Sequence, residues 1–272
     1  MTVDYSKIAL FTDLDGTLLG DNKKVSQKNI SAIKEFIAKG GLFGISTGRS
    51  AVNVREMLPD IPINGWSVLF NGAAAYHLER GEFGPTRSLD KAAMLPLLMW
   101  ALTHLPQINI QIATPDRLLF VSLPTLADDH FVRTHQPADF VDLDAAAKEP
   151  WLKAVLCSYD GTLEQLRQQA ISIGVCDRVD CVYSWDYYLE FLPKDANKGT
   201  CLQMLRKLDG MAGKTVVAIG DYTNDLELLK EADIGVAVGN ALPEVKAAAD
   251  HVICSNNEDA LAYLIECLLP KL

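Results

Sequence analysis

The sequence predicts an α/β fold: a Rossmann-like core, made of a parallel sheet with helices on both faces, that is interrupted by an inserted α+β domain. Three observations predict it. Short, continuous apolar runs alternate with amphipathic helical patterns near both ends of the chain. These runs end in small polar or acidic residues, as strands of open α/β sheets do at their carboxyl ends. Between the two regions, helices and hairpin-like strand pairs replace the alternation.

The composition is typical of one large domain or two modest ones. The chain has 272 residues, of which 49% are hydrophobic and 22% charged, and its formal net charge is -10. Such a charge argues against nucleic acid as a partner, because binding to the phosphate backbone depends on basic surface. We expect no signal peptide and no membrane span. The six cysteines lack a Cys-X-X-Cys pair, which favours neither a zinc site nor a disulfide framework, and a cytoplasmic protein is expected.

Residues 1–81 are predicted to form the first part of the core. A buried strand starts at Ile8, and a helix with Ser26 as its N-cap follows after a polar turn. A second buried strand covers 42–45 and completes a β-α-β unit. The Asn71-Gly72 pair then predicts the turn of a hairpin.

Residues 82–190 are predicted to form the inserted domain, and residues 191–272 the second part of the core. The insert combines a long apolar helix with antiparallel strand pairs, after which strand and helix alternate again. Its predicted elements are helices 89–104, 126–134 and 163–173 and strands 108–113, 118–123, 153–159, 179–184 and 187–192. The second core part is predicted to hold strands 216–219, 234–238 and 251–253, a helix that begins at 197 and a terminal helix over 260–269.

The apolar run that starts at Ile8 ends in two acids, Asp13 and Asp15, followed by Gly16. Because Gly16 turns the chain, both acids should lie at the carboxyl end of the strand. Two carboxylates so close together repel each other, and a hard divalent cation such as Mg2+ would relieve that repulsion. The alternative is an Asx turn that only closes the strand.

Four polar clusters fall at the carboxyl ends of predicted core strands or at the start of a core helix. Together and in this order, they resemble the motifs of the haloacid dehalogenase-like (HAD) phosphatase superfamily. Within it, the match is to the Cof-type subfamily IIB sugar-phosphate phosphatases, which carry a large cap between the second and third motifs. The insert matches in position and approximate length only. The clusters are Asp13 with Asp15, Thr47, Lys198, and Asp221 with Asn224 and Asp225.

The resemblance implies phosphoryl transfer through an enzyme intermediate. Asp13 would be the nucleophile and would form an aspartyl-phosphate, which divides one difficult displacement into two easier ones. Mg2+ would neutralise the approaching anions, held by the Asp13 carboxylate, the Asp15 backbone carbonyl and Asp221. Asp225 would orient the waters around the ion.

The resemblance also gives roles to the remaining motif residues. Asp15 would act as general acid toward the leaving group and then as general base toward water. Thr47 would donate its hydroxyl to a phosphoryl oxygen, and Lys198 would supply positive charge at a helix N-terminus. Asn224 would hydrogen-bond the phosphoryl group or position Lys198.

Several assignments keep a structural alternative. Thr47 is also an ordinary turn residue at a strand end, and Asp225 could simply favour the dipole of the helix that it starts. Lys194 competes with Lys198, which we prefer because Gly199 follows it as in the family. The remaining candidates for substrate binding have alternatives too. Arg49 could equally form a structural ion pair, and Asn71 and Asn240 could equally be turn residues.

The predicted function is that of a Mg2+-dependent phosphohydrolase that acts on small phosphorylated metabolites, with sugar phosphates first by family resemblance. The insert would be a cap that excludes water and selects the leaving group, and its size argues against a protein substrate. Two alternatives stay open: a phosphotransferase or mutase of the phosphomannomutase type, and a non-enzymatic sensor of a phosphorylated ligand. The sequence predicts neither the physiological substrate nor the oligomeric state.

Overall fold

The structure is a computed structural model that describes residues 3–122, 138–208 and 210–272, apart from the side chains of 184 and 185. The predicted helix 126–134 lies outside the described residues. The strands are β1 (Ile8–Thr12), β2 (Leu42–Ile45), β3 (Trp66–Leu69), β4 (Ala74–His77), β5 (Glu82–Thr86), β6 (Asn109–Ala113), β7 (Leu118–Phe120), β8 (Ala138–Phe140), β9 (Lys153–Cys157), β10 (Val179–Trp185), β11 (Tyr188–Pro193), β12 (Thr215–Gly220), β13 (Ile234–Ala237) and β14 (His251–Val252).

Most helices are short. The α-helices are α1 (Gln27–Ala38), α2 (Ala51–Met57), α3 (Lys91–His104), α4 (Leu143–Ala146), α5 (Leu163–Ser172), α6 (Val175–Arg178), α7 (Lys198–Leu205), α8 (Leu226–Glu231), α9 (Pro243–Ala248) and α10 (Ala260–Tyr263). Single 3-10 turns span Tyr5–Lys7, Phe70–Gly72, Thr223–Asp225 and Asn256–Glu258, and α10 continues as a π-helix over Leu264–Leu268 and a 3-10 turn over Leu269–Lys271. Among the residues that the structure describes, no helix has both the length and the apolar character needed to cross a membrane.

The chain forms two compact units. The core unit consists of the residues up to Pro85 and from Asn197 onward, and the inserted unit is Thr86–Ala196. These limits differ by a few residues from the predicted 82–190. The physical reason is that β5 adds to the β3-β4 sheet of the core unit, while β11 runs on to Pro193.

The core unit is built on a five-stranded sheet in the order β14-β13-β12-β1-β2, and all of its strand pairs are parallel. Every residue of β1 is buried, which requires cover on both faces of the sheet. Thr12 at the end of β1 is in register with Ile45 of β2 and Ile219 of β12. The residues that follow these three strands therefore meet at one edge, and the predicted α/β class with a parallel core sheet is confirmed.

A second, smaller sheet in the order β3-β4-β5 lies in the core unit and contains the predicted antiparallel hairpin. Its connection is a four-residue loop, 70–73, because Leu69 pairs with Ala74, and within this loop Phe70, Asn71 and Gly72 have positive φ, at 53°, 54° and 101°. A Cβ at position 72 would collide with the backbone carbonyl of Asn197. Glycine is needed there because the hairpin loop packs directly against the N-terminus of α7.

The inserted unit has a six-stranded sheet in the order β10-β11-β9-β6-β7-β8, in which the β7-β8 pair is parallel and the other four pairs are antiparallel. Alternate strand residues pack against helices α3 and α5 on one face, which gives the unit its apolar core. This arrangement confirms the predicted α+β character of the insert. Representative core residues are Leu97, Leu98, Ile110, Ile112, Leu156, Leu166, Leu189 and Phe191.

Candidate active site

The predicted motif residues of the core unit gather at the carboxyl edge of the parallel sheet. Asp13 follows β1 directly, Asp221 follows β12 directly, and Thr47 lies two residues beyond β2. Since β1 lies between β2 and β12, the three side chains come from neighbouring strands. The fourth motif residue, Lys198, is the first residue of α7.

Lys198 lies at the centre of this group. Its side chain is 0% exposed, and its Nζ lies 2.6 Å from Asp13 Oδ1 and 2.6 Å from Asp225 Oδ1. A buried ammonium group needs such partners, because its desolvation is otherwise very costly. Asn197 fixes the helix start, since its side chain accepts the Thr200 backbone N–H at 2.8 Å. Lys194, the competing candidate, pairs with Asp180 at 3.0 Å within the inserted unit.

Three carboxylates lie close together beside this one lysine. Asp13, Asp221 and Asp225 each offer an oxygen, and these three atoms lie within 4.8 Å of one another. Burial raises the pKa of Asp13 to about 8, against the opposing charge of Lys198, and burial together with Asp225 raises the pKa of Asp221 to about 6. Burial alone would lower the pKa of Lys198, but Asp13 and Asp225 outweigh it and raise that pKa. The cluster therefore holds more carboxylates than its single charged lysine can neutralise.

This donor set fits Mg2+. Carboxylate oxygens are the ligands that hard divalent cations prefer, and a second cation would compensate the excess charge. Asp225 differs from the other two acids, because its Oδ2 accepts the backbone N–H groups of Asp221 and Tyr222 at 3.0 and 3.2 Å while its Oδ1 binds Lys198. With both oxygens already bonded, Asp225 is suited to holding the cluster together. Asp13 and Asp221 are better placed to bind the ion itself.

Asp221 is held by the loop that follows Asp13. Thr17 donates its hydroxyl to Asp221 Oδ1 at 2.7 Å, and Asn240 donates to the Gly16 carbonyl at 2.8 Å. Gly16 has φ +84°, and a Cβ there would lie 2.5 Å from Asp221 Oδ2. Sequence reasoning gave Thr17 no role of its own, although its place directly after Asp15-Gly16 was the available signal. Asn240 therefore contacts the site through the backbone of the loop that follows Asp13.

Asp15 has a different environment from Asp13, two residues away. Arg49 donates from Nε to Asp15 Oδ2 at 2.7 Å and from Nη2 to Asp15 Oδ1 at 2.9 Å, and Lys23 Nζ lies 3.8 Å from Oδ1. Burial raises the pKa of Asp15, but the Arg49 hydrogen bonds and charge outweigh burial and hold it below the usual value. The ion pair considered for Arg49 is therefore present, and its partner is a motif residue.

Thr47, Asn71 and Asn224 meet beside this pair. The backbone of Thr47 bonds Val68 O at 2.9 Å and accepts the Asn71 N–H at 3.1 Å. Asn224 donates from Nδ2 to Asn71 Oδ1 at 3.2 Å. The sequence did not predict that these two amides would touch, because they lie 153 positions apart, one in the hairpin loop and the other in a motif.

Comparison with known proteins identifies the family. Residues 10–265 match the family model of haloacid dehalogenase-like hydrolases. The 5-amino-6-(5-phospho-D-ribitylamino)uracil phosphatase YcsE of Bacillus subtilis is 28% identical over 268 residues, which cover 97% of this chain and 95% of that protein. The chloroplastic endoribonuclease YBEY of Arabidopsis thaliana is 28% identical over 269 residues, which cover 94% of this chain but 45% of that protein, so the chain spans less than half of that relative.

Solved structures agree with the fold. A haloacid dehalogenase-like hydrolase from Bacteroides thetaiotaomicron superposes with a TM-score of 0.83 at 25% identity, covering 96% of this chain and 98% of that one. A HAD subclass IIB sugar phosphatase superposes with a TM-score of 0.76 at 20% identity, covering 96% and 98%, which supports the fold. The resemblance drawn from the motifs and the predicted enzyme class, a phosphatase, are confirmed. The chain belongs to the haloacid dehalogenase-like hydrolase family.

Proposed function

We propose that this phosphatase is Mg2+-dependent and hydrolyses phosphate monoesters of small metabolites, sugar phosphates among them, through an aspartyl-phosphate on Asp13. The observation that carries the proposal is the buried Lys198, bonded to both Asp13 and Asp225 with Asp221 alongside. Asp13, Asp221 and the backbone carbonyl of Asp15 would hold the metal. When bound, Mg2+ supplies the positive charge that lets an anionic carboxylate approach an anionic phosphoryl group.

In the first half-reaction, the Asp13 carboxylate attacks phosphorus and the ester P–O bond breaks. Asp15 gives a proton to the leaving oxygen, so that an alcohol departs. Lys198 holds Asp13 in place and balances the charge that builds up, while Thr47 and Asn224 donate hydrogen bonds to phosphoryl oxygens. The product of this step is the aspartyl-phosphate.

In the second half-reaction, water attacks the phosphorus of the aspartyl-phosphate. Asp15, now a carboxylate, takes the proton of that water, and the bond between phosphorus and Asp13 breaks. Inorganic phosphate leaves, Asp13 is regenerated as a carboxylate, and Asp15 releases the proton to solvent until the charge of the next phosphoryl group favours its protonated form.

The proposed substrate class rests on the local chemistry and on the relatives. The core chemistry handles the phosphoryl group alone, and the inserted unit, Thr86–Ala196, is proposed to select what carries it. The Bacillus subtilis relative is named for a phosphorylated sugar alcohol chain attached to a ring. A phosphorylated polyhydroxy metabolite is therefore the first choice here. A cytoplasmic location stays a prediction.

The test is phosphate release across a panel of sugar phosphates, sugar alcohol phosphates, nucleotides and a phosphopeptide, with Mg2+ and with EDTA. Asp13→Asn should abolish turnover, whereas Asp60→Asn, at an exposed position, should not change it. Turnover of the phosphopeptide alone, or full activity of Asp13→Asn, would overturn the proposal. Conversion of one sugar phosphate into its isomer without phosphate release would replace it with the mutase alternative.

A further inference from the structure

Arg49 grips the carboxylate of Asp15 with two parallel hydrogen bonds. Its Nε and Nη2 lie 2.7 and 2.9 Å from the two different oxygens of Asp15. A guanidinium that binds a carboxylate in this forked way fixes the plane of the carboxylate as well as its distance. A single charged contact would leave that plane free to rotate.

The backbone of Arg49 is fixed by hydrogen bonds, so its guanidinium can hold Asp15 in a defined position. Its backbone N–H donates to Thr47 Oγ1 at 3.3 Å, and its carbonyl accepts the Phe70 N–H at 3.3 Å. The next residue, Ser50, caps the start of α2 by accepting the Asn53 N–H at 3.3 Å. The Arg49 side chain is 24% exposed. The backbone that carries the guanidinium is thus bonded to Thr47 and to the hairpin loop, and it leads directly into a capped helix start.

Lys23 offers a natural contrast at the same carboxylate. Its Nζ lies 3.8 Å from Asp15 Oδ1, beyond hydrogen-bond distance, and its side chain is 67% exposed. It adds positive charge near Asp15 without defining an orientation. Asp15 therefore has one cation that orients it and one that only lies nearby.

We propose that Arg49 is a positioning residue that acts through Asp15, holding its carboxylate in the orientation needed to pass a proton to the leaving oxygen and to take one from water. The inference rests on the proposed role of Asp15 in both half-reactions. It assigns Arg49 to proton transfer, whereas a substrate-binding arginine would act on the phosphoryl group directly. The two roles differ in which kinetic constant they change.

The first test is Arg49→Met, with Lys23→Met as the matched control, on a phosphate ester of an aliphatic alcohol. Losing the orientation of Asp15 should lower kcat about 10- to 100-fold and leave KM within about threefold, because small misplacements of catalytic groups have effects of that size. Lys23→Met should change kcat less than about threefold. Arg49→Lys keeps the charge but loses the fork, so it should resemble Arg49→Met.

A second test uses 4-nitrophenyl phosphate, whose leaving group departs without a proton. In Arg49→Met, the first equivalent of 4-nitrophenolate should appear at nearly the wild-type rate, followed by a slower steady state, because the second half-reaction still needs Asp15 as a base. A purely structural defect would slow both phases alike. In an Asp15→Asn background, adding Arg49→Met should change kcat less than about threefold, since Arg49 then has no carboxylate to orient.

Three results would overturn the inference: a tenfold rise in KM with kcat retained, full recovery by Arg49→Lys, or multiplicative effects of Arg49→Met and Asp15→Asn. Circular dichroism confirms that each variant is folded, and Arg49→Lys keeps the test decisive if Arg49→Met does not fold. If the wild-type protein releases no phosphate from either ester with Mg2+, the proposed function fails. If it does release phosphate and the two substitutions act independently, only the role of Arg49 fails.

Discussion

Lys198→Met removes the charge that Asp13 and Asp225 share, and we expect it to lower both stability and activity. The lysine is fully buried and lies 2.6 Å from each carboxylate. Methionine has a similar length and fits an apolar space, so the substitution mainly tests charge. It leaves two carboxylates facing each other in a buried site.

The expected size of the stability loss follows from these contacts. Removing one partner of a buried ion pair costs about 3–5 kcal/mol, and here two acids lose their partner at once. Two features limit the loss. Asp225 keeps its backbone donors at 3.0 and 3.2 Å, and Asp13 can take up a proton, since burial already raises its pKa to about 8. We therefore expect the free energy of unfolding to fall by about 4 kcal/mol.

The measurement is urea unfolding followed by circular dichroism at neutral pH in EDTA, with Lys34→Met on the exposed face of α1 as the control. The control should change the free energy of unfolding by less than about 0.5 kcal/mol. Activity of Lys198→Met with Mg2+ should fall about 100- to 1000-fold. A loss of stability under about 1 kcal/mol, or activity within threefold of wild type, would refute the reasoning about this lysine.

Three further substitutions test other parts of the structure. Gly16→Ala should raise the Mg2+ concentration for half-maximal activity at least tenfold, because its Cβ would lie 2.5 Å from Asp221 Oδ2; an unchanged Mg2+ titration would contradict this. Thr17→Val should raise it about tenfold by removing the 2.7 Å bond to Asp221, whereas Thr17→Ser should not. In the inserted unit, Lys153→Met should lower the free energy of unfolding in urea by about 3 kcal/mol. It leaves Glu190 without its ion-pair partner, and the Glu190 side chain is 11% exposed and lies 2.8 Å from Lys153. A double variant that also replaces Glu190 by Leu should recover most of that loss.

The core could be predicted from the sequence because its signals are local. The strands β1, β2 and β12 consist mainly of continuous apolar runs, as strands buried on both faces do, and polar residues mark where they end. Parallel neighbours place those ends at one edge, so the meeting of Asp13 and Asp221 follows from the fold class. The alignment of these strands follows from the parallel sheet and needs no further signal in the sequence.

The elements that were missed lack such signals. Strand β5 (Glu82–Thr86) is mostly exposed and contains Gly84 and Pro85, which are unfavourable in strands. It forms because β4 offers an edge to pair with, which is a property of the folded unit. The left-handed backbone of Phe70 is similar, since no local preference of phenylalanine explains it. The close packing of the hairpin loop on α7 holds it there.

The contacts that complete the site were also beyond the sequence. Three contacts join residues that are far apart in the sequence. The separation is 34 positions for Arg49 with Asp15, 153 for Asn71 with Asn224, and 224 for Asn240 with the Gly16 carbonyl. The arginine and the three asparagines of these pairs were predicted as candidates for binding substrate or phosphate, because a sequence pattern cannot identify the partner of a polar group near a motif. The fold supplies the partner, and with it a testable role for Arg49.

Two aspartates separated by one residue thus acquire opposite environments. Asp13 is buried among carboxylates with Lys198, and its pKa is raised, while Asp15 is gripped by Arg49, and its pKa is lowered. A cation held by Asp13 would lower that pKa and keep the proposed nucleophile ionised. In the resting site the charged form of Asp15 suits the base step, and the negative charge of an incoming phosphoryl group would raise its pKa again for the acid step. The chain has a formal net charge of -10 but can accept an anionic substrate, because Lys198 and Arg49 place positive charge beside the acids of the site.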